Sequence, residues 1–356
     1  MGRSIRAGVV GFGLGGQIFH APFLKAMDGF ELTAILQRQG DAAERAYPGV
    51  SIERSMEALL ARPNLDLIVI STPPSTHFEL GRQALEADKH VVLDKPFVAT
   101  SDQARQLIEL ARARNRMLSV YQNRRWDGDF LTLQQLIAGG ELGRLVSLES
   151  RFERYHPGVR AKQWQEKNLP GNGLLHDWGS HLVDQALLQF GTPESIFADI
   201  RYDRDVTEIN DGFTILLFYP RMRVRMNVTL LARSPGPRFV LHGTLGSYVK
   251  YGLDPQEQAM KDGMTLTDPH WGEEPEANWG KLTTTGENGE AVERRVPTIP
   301  GDYRKYYENI RDAIWGLAPL EVKPEHGWRT IRLFEMALES SAQRRAISGD
   351  PLNQLP

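Results

Sequence analysis

The 356-residue chain contains no cysteine. This excludes disulfides, thiolate metal sites and a cysteine nucleophile, and it fits a reducing compartment, so the cytoplasm is the expected location. An excess of charge is also missing. The 42 Lys+Arg and 45 Asp+Glu leave a net charge of −3, which gives no footprint for nucleic acid or an anionic membrane surface. No apolar run approaches the length needed to span a bilayer. The opening MGRSIRAGVV leads straight into a strand pattern, without the apolar core and cleavage site of a signal peptide. There is no internal repeat. What remains is a globular chain, 41% hydrophobic and long enough for two domains with sizeable cores.

Glycine, by contrast, is concentrated near the start. The stretch AGVVGFGLGGQIFH runs from an apolar strand through Gly11, Phe12, Gly13, Leu14, Gly15 and Gly16 into a helix-like segment. In a G-x-G-x-x-G turn the first glycine permits a tight bend, the second lets a pyrophosphate approach the backbone, and the third lets helix and strand pack closely. Amides at the helix start then face the phosphates. Pro22 lies inside the expected helix, where a proline kinks or splits it.

The first 125 residues alternate strand and helix signals. Strands are expected at residues 31–36, around VSI, at 65–72, 90–93 and 117–121, with a helix after 101 capped by Ser101. Near-continuous apolar strands alternating with helices imply a parallel sheet covered on both faces. Beyond residue 125 the texture changes. RVRMNVTLL places Val224, Met226, Val228 and Leu230 on one face, and RFVLHGTLGSYVKYG reads as a hairpin turning at GTLG. Residues 255–301 read as loops and short hairpins. The expected domains are thus an α/β unit, 1–125, and an α+β unit, 126–356.

Ligands of such a fold lie beyond the carboxyl ends of the strands. Those positions hold Ser71, Thr72, Pro73, Pro74 and His77 in STPPSTH, then Asp94 and Lys95 in DKP, then Gln122, Arg124 and Arg125 in QNRRWD. Further on, a helix over DWGSHLVDQAL would set Asp177, His181 and Asp184 at i, i+4 and i+7 on one face. From spacing alone, His181 is open to three roles: a satisfied core histidine, a general acid–base, or a metal ligand.

Together, G-x-G-x-x-G, TPPSTH, acidic-Lys-Pro and D-x-G-x-H-x-x-D resemble the Gfo/Idh/MocA oxidoreductases along the whole chain. LSVYQNRRWDGDFLTL, GPRFVLHG, YVKYGLDPQE and WGKLTT are similar to the family's branch of NADP-dependent scyllo-inositol dehydrogenases. The resemblance implies a Rossmann dinucleotide-binding domain followed by an α+β domain with a large, mostly antiparallel open sheet. The free face of that sheet would serve oligomerisation, as a homodimer or homotetramer.

It also implies the chemistry. Lys95, Asp177 and His181 fall on the catalytic positions, for hydride transfer between a nicotinamide cofactor and a carbinol carbon of a cyclic polyol or sugar. His181 would move the hydroxyl proton, Lys95 would hold the same oxygen, and Asp177 would orient His181; no metal is required. Arg124, Arg125, Tyr155, Trp164 and His156 are expected around a polyhydroxylated substrate, with Trp164 walling the nicotinamide. Two departures stand out: Asp94 replaces the family's usual Glu, and Gln165 replaces an Arg common after the tryptophan. Cofactor choice can be read directly. Gln37, Arg38 and Gln39 end the second strand with no acid before Asp41, so Arg38 is free to pair with a 2′-phosphate, and NADP is expected, with NAD as the other choice. A reductase of another sugar or anhydrosugar, and a dinucleotide-sensing regulator on the same fold, remain as the other readings.

Overall fold

The computed structural model describes residues 4–160 and 163–355. The outer ends of the expected domains, at 1 and 356, and residues 161–162, just before Trp164, lie outside them.

Six short strands, β1 (Ile5–Val10), β2 (Phe30–Leu36), β3 (Ser51–Glu53), β4 (Leu67–Ile70), β5 (His90–Leu93) and β6 (Leu118–Val120), form one parallel sheet in the order β3-β2-β1-β4-β5-β6. The chain builds outward from β1 in one direction and from β4 in the other. Their shared boundary is the switch point where this fold opens a crevice. Val9, Ile68 and Val92 are fully buried, because the sheet is covered on both faces. One face packs against the helices His77–Glu86 and Ser101–Ala113. The other meets Phe23 and Leu24 of Ala21–Ala26 together with Tyr303, Tyr306, Tyr307 and Ile310. Those last residues belong to helix Arg304–Ile314 and its start, so a late segment of the chain completes the first sheet's core.

The second sheet has nine strands: β7 (Leu145–Glu153), β8 (Ser195–Arg201), β9 (Gly212–Tyr219), β10 (Met222–Thr229), β11 (Phe239–Gly243), β12 (Gly246–Lys250), β13 (Gly280–Thr285), β14 (Ala291–Val296) and β15 (Ile347–Ser348). Their order is β14-β13-β12-β11-β7-β10-β9-β8-β15, and β7 with β10 is the one parallel pair among these described strands. Val224, Met226, Val228 and Leu230 point inward as their alternation requires. They join the core that helices Gly179–Phe190 and Pro324–Gln343 cover.

Local details differ from expectation in four places. Gly16–His20 forms a π-helical turn before the α-helix Ala21–Ala26, whose first turn accommodates Pro22 because no amide is needed there. Helix Ser101–Ala113 is capped by Thr100, which accepts from the Gln103 amide, while Ser101 is bonded to Glu335 instead. The DWGSHLVDQAL stretch is two helices, Leu174–Asp177 and Gly179–Phe190, meeting at Trp178. A short helix, Gln256–Lys261, interrupts the loop-rich region.

Candidate functional site

A cleft of about 1030 Å³ opens above the carboxyl ends of β1, β2, β4 and β5 and is closed on the far side by the second domain. Its floor is the glycine turn. Gly11 has φ of +96°, and a Cβ there would sit 2.4 Å from the Ser71 carbonyl oxygen. At Gly16 a Cβ would meet the Gly11 carbonyl oxygen at 2.1 Å. Those two glycines are required by the protein's own packing. Gly13 differs: nothing lies within 4 Å of where its Cβ would point, and the residue lines the cleft. A cradle that is closed beneath and open above Gly13 fits a dinucleotide diphosphate. Gln17 steadies the turn by donating to the Phe12 carbonyl at 2.8 Å.

At one end of the cleft, Gln37, Arg38 and Gln39 form its wall after β2. The turn is fixed by Arg54, whose Nη1 donates to the carbonyls of Gln37 (2.7 Å) and Gly40 (2.8 Å). Arg38 stands exposed on that base. It offers an exposed guanidinium at that end of the cleft.

At the other end the first sheet meets the second domain. Asp94 receives Ser71 Oγ on Oδ2 (2.9 Å) and the Lys95 amide on Oδ1 (2.8 Å). The buried His20 Nε2 lies 3.4 Å from the same Oδ2, and His20 Nδ1 is 2.7 Å from the Tyr307 hydroxyl. Burial opposes ionisation of Asp94, but His20 and Lys95 outweigh it and hold the carboxyl well below the usual range. Lys95, next in the chain, reaches Asp177: Nζ donates to Oδ1 at 2.5 Å and to the Asp177 carbonyl at 3.3 Å. An ammonium has three protons, so one remains for the cleft that Lys95 lines. Against the cost of burial, the charges of Lys95 and Arg160 keep Asp177 ionised.

His181 lines the same end. Its Nδ1 is buried with no hydrogen-bond partner among the described residues, which leaves Nε2 for the cleft. Burial, reinforced by the positive charges of Lys95, Arg124 and Arg238, holds the imidazole well below its ordinary range, so it is neutral at neutral pH. A neutral imidazole beside an ammonium at the mouth of a dinucleotide crevice can accept a proton while the lysine holds the oxygen that loses it.

Most of the expected site residues meet here. Gly11, Phe12, Gly13, Leu14, Gly15, Arg38, Ser71, Thr72, Pro73, Pro74, Asp94, Lys95, Arg124, Trp164, Asp177 and His181 all line the cleft. Others stand elsewhere. Gly16 lies behind the turn. His77 is wholly buried, with Nε2 2.9 Å from the Thr72 carbonyl and Nδ1 2.9 Å from that of Pro96, and so ties two cleft turns together from beneath. Gln122 is buried against the Ser180 carbonyl. Tyr155 is exposed and accepts from Arg233, and His156 is exposed beside it. Asp184 pairs with Arg125 in the core rather than with His181. Asp177 likewise holds Lys95, and no hydrogen bond joins it to His181 among the described residues. No cluster of metal-binding side chains occurs among the described residues.

Sequence reasoning missed several contributors. Arg160 contacts Asp177, and Glu257 pairs with Arg124 at 2.5 Å across the cleft wall. Burial would raise Glu257, but Arg124 and Lys261 bring it down to about 2. Neither residue sits in a spacing that announces it.

Comparison with known proteins identifies the family and the fold. Residues 5–122 match the oxidoreductase family with an NAD-binding Rossmann fold, GFO_IDH_MocA, and residues 134–348 match that family's C-terminal α/β domain. The chain is 42% identical to YdgJ of Escherichia coli, named only as an oxidoreductase, over 98% of this chain and 99% of that one. It is 35% identical to the scyllo-inositol 2-dehydrogenase (NADP+) IolW of Bacillus subtilis, over 97% and 96% respectively. The solved structure of the Bacillus subtilis oxidoreductase yvaA superposes with a TM-score of 0.93 at 34% identity, covering 97% of this chain and 98% of that one.

Proposed function

The chain belongs to the Gfo/Idh/MocA family of oxidoreductases, and on that premise we propose that it is an NADP-dependent dehydrogenase of a cyclic polyol or sugar, scyllo-inositol by preference. The observation that carries the reading is the Lys95 ammonium, 2.5 Å from Asp177 and beside a neutral His181, at the nicotinamide end of the cleft.

The dinucleotide, when bound, supplies the redox chemistry by exchanging a hydride with a carbinol carbon. The chain's residues do the rest. The open face of Gly13 receives the diphosphate, Arg38 takes the 2′-phosphate, and Trp164 walls the ring. His181 Nε2 accepts the substrate hydroxyl proton in oxidation and returns it in reduction. Lys95 donates its free N–H to the same oxygen and stabilises the negative charge that develops there. Asp177 fixes Lys95 in that position and offsets its charge. Arg124 and Glu257 present alternating donors and acceptors to hydroxyl groups.

Two features support NADP and a polyol: the lack of an acid at the end of β2, and the likeness to an NADP-dependent scyllo-inositol dehydrogenase. The same polar wall also suits another sugar or anhydrosugar. No helix among the described residues is long and apolar enough to cross a membrane, and the cysteine-free composition favours a cytoplasmic enzyme. A homodimer or homotetramer would use the outer face of the second sheet, where Phe197, Leu216, Phe218, Val240 and Val249 alternate with the buried positions.

The test is absorbance at 340 nm with purified protein, scyllo-inositol, and NADP or NAD in parallel. Reduction of NADP well ahead of NAD is expected. Turnover only with other sugars would move the substrate, and equal use of NAD would remove the cofactor assignment.

A further inference from the structure

We infer that Arg160 is a positioning residue of this reaction, holding the carboxylate of Asp177 so that Lys95 stays aimed into the cleft. The inference rests on the catalytic reading of Lys95 and Asp177 above.

Asp177 is shared between two cations. One oxygen, Oδ1, takes Lys95 at 2.5 Å; the other, Oδ2, faces Arg160 Nη1 at 3.5 Å. A carboxylate held on one oxygen can swing about its terminal torsion, which has broad wells. The contact on the second oxygen restricts that swing and with it the movement of Lys95. Arg160 is itself immobilised on three sides. Its Nε donates to Glu166 Oε1 at 2.7 Å, its backbone amide to the same oxygen at 3.2 Å, and its Nη2 to the Gln165 carbonyl at 2.9 Å. The planar fork of a guanidinium makes these contacts compatible with one another.

Glu166 in turn is anchored in the core. Its Oε2 accepts from Arg204 Nη2 at 2.7 Å, and Arg204 Nε donates to Asp211 Oδ2 at 2.7 Å. The side chains of Arg204 and Asp211 are both 0% exposed. An ion chain, partly exposed at Asp177 and fully buried at its far end, therefore runs Asp177, Arg160, Glu166, Arg204, Asp211. The same loop fixes Asp177 from its other side, because Asn210 Oδ1 accepts the Leu175 amide and the Asn210 carbonyl accepts that of Leu174. A purely structural ion chain would have no reason to end on a cleft carboxylate that already has a cationic partner.

The test is a double-mutant cycle of Arg160→Gln and Asp177→Asn, with kcat and KM measured for polyol oxidation. Arg160→Gln is expected to lower kcat roughly 10-fold or more while leaving KM for NADP unchanged, and to cause no further loss in the Asp177→Asn background. Arg160→Lys, which can reach Asp177 or Glu166 but not both, should recover part of the loss. Independent losses in the two backgrounds, or a wild-type kcat in Arg160→Gln, would overturn the inference. A wild-type kcat in Asp177→Asn would instead overturn the catalytic reading beneath it.

A second measurement needs no substrate. Reductive methylation resolved by peptide mass should label Lys95 several-fold faster in Arg160→Gln, with Lys261 of the same cleft unchanged. Equal acceleration of both lysines would mean that the cleft has merely opened, and the inference fails.

Discussion

Arg125 and Asp184 form a two-point ion pair, Nε to Oδ2 and Nη2 to Oδ1 each at 2.7 Å, with side chains 6% and 3% exposed. The pair ties the turn Asn123–Trp126, where the chain leaves the first sheet, to helix Gly179–Phe190, which carries His181. Neither residue lines the cleft.

Asp184→Ala should therefore cost stability. Removing one partner leaves a buried guanidinium uncompensated, at about 3–5 kcal/mol. Urea unfolding of the cofactor-free protein would measure it. A variant as stable as the parent would show that the pair is replaceable.

Gly13→Ala separates cradle from scaffold. The added methyl meets no protein atom within 4 Å, so the melting temperature of the free protein should stay put. On the proposed reading it takes space meant for the diphosphate, so NADPH affinity, read by the nucleotide's fluorescence, should fall at least roughly 10-fold. Unchanged affinity would place the diphosphate elsewhere.

Arg38→Ala should discriminate between cofactors. A charge-assisted contact to a 2′-phosphate is worth about 1.5–3 kcal/mol, roughly 10- to 100-fold in Kd for NADPH. NADH, which has no such phosphate, should bind nearly as before. Equal losses would mean that Arg38 serves the adenine or the fold.

The pH profile follows from His181. Its folded pKa is depressed by burial first and by neighbouring cations second. The neutral, proton-accepting form therefore persists as pH falls through about 6.5, the ordinary histidine value. The acid limb of kcat/KM for polyol oxidation should lie below that pH. A limb at or above it would assign the proton to another group.

Much of the frame was legible because strand period and glycine spacing are local signals. The strand at 90–93, the inward face of β10 and the turn between β11 and β12 depend on neighbours in sequence. The carboxyl-end rule then placed Ser71, Asp94 and Lys95 in the cleft with no knowledge of distance. Less legible was anything decided by a partner far along the chain. His77 looked like a ligand because it follows Ser-Thr at a strand end, but two carbonyls from different turns claim its ring. Asp184 shares a helical spacing with His181, yet Arg125 claims it. Asp177 lies one turn from His181, and its carboxylate goes to a lysine 82 residues away. Arg160 belongs to no motif, and Glu166 is marked only by its place two residues after Trp164.

The helix Arg304–Ile314 bears on how the protein is made. The tyrosines at and before its start pack onto β1 and β4, strands synthesised more than two hundred residues earlier. On the ribosome the first sheet must wait with that face only partly covered, by the early helix Ala21–Ala26, until residues 303–310 have emerged. The nucleotide-binding unit comes first in sequence but is finished among the last, and the order of the gene is not the order of assembly.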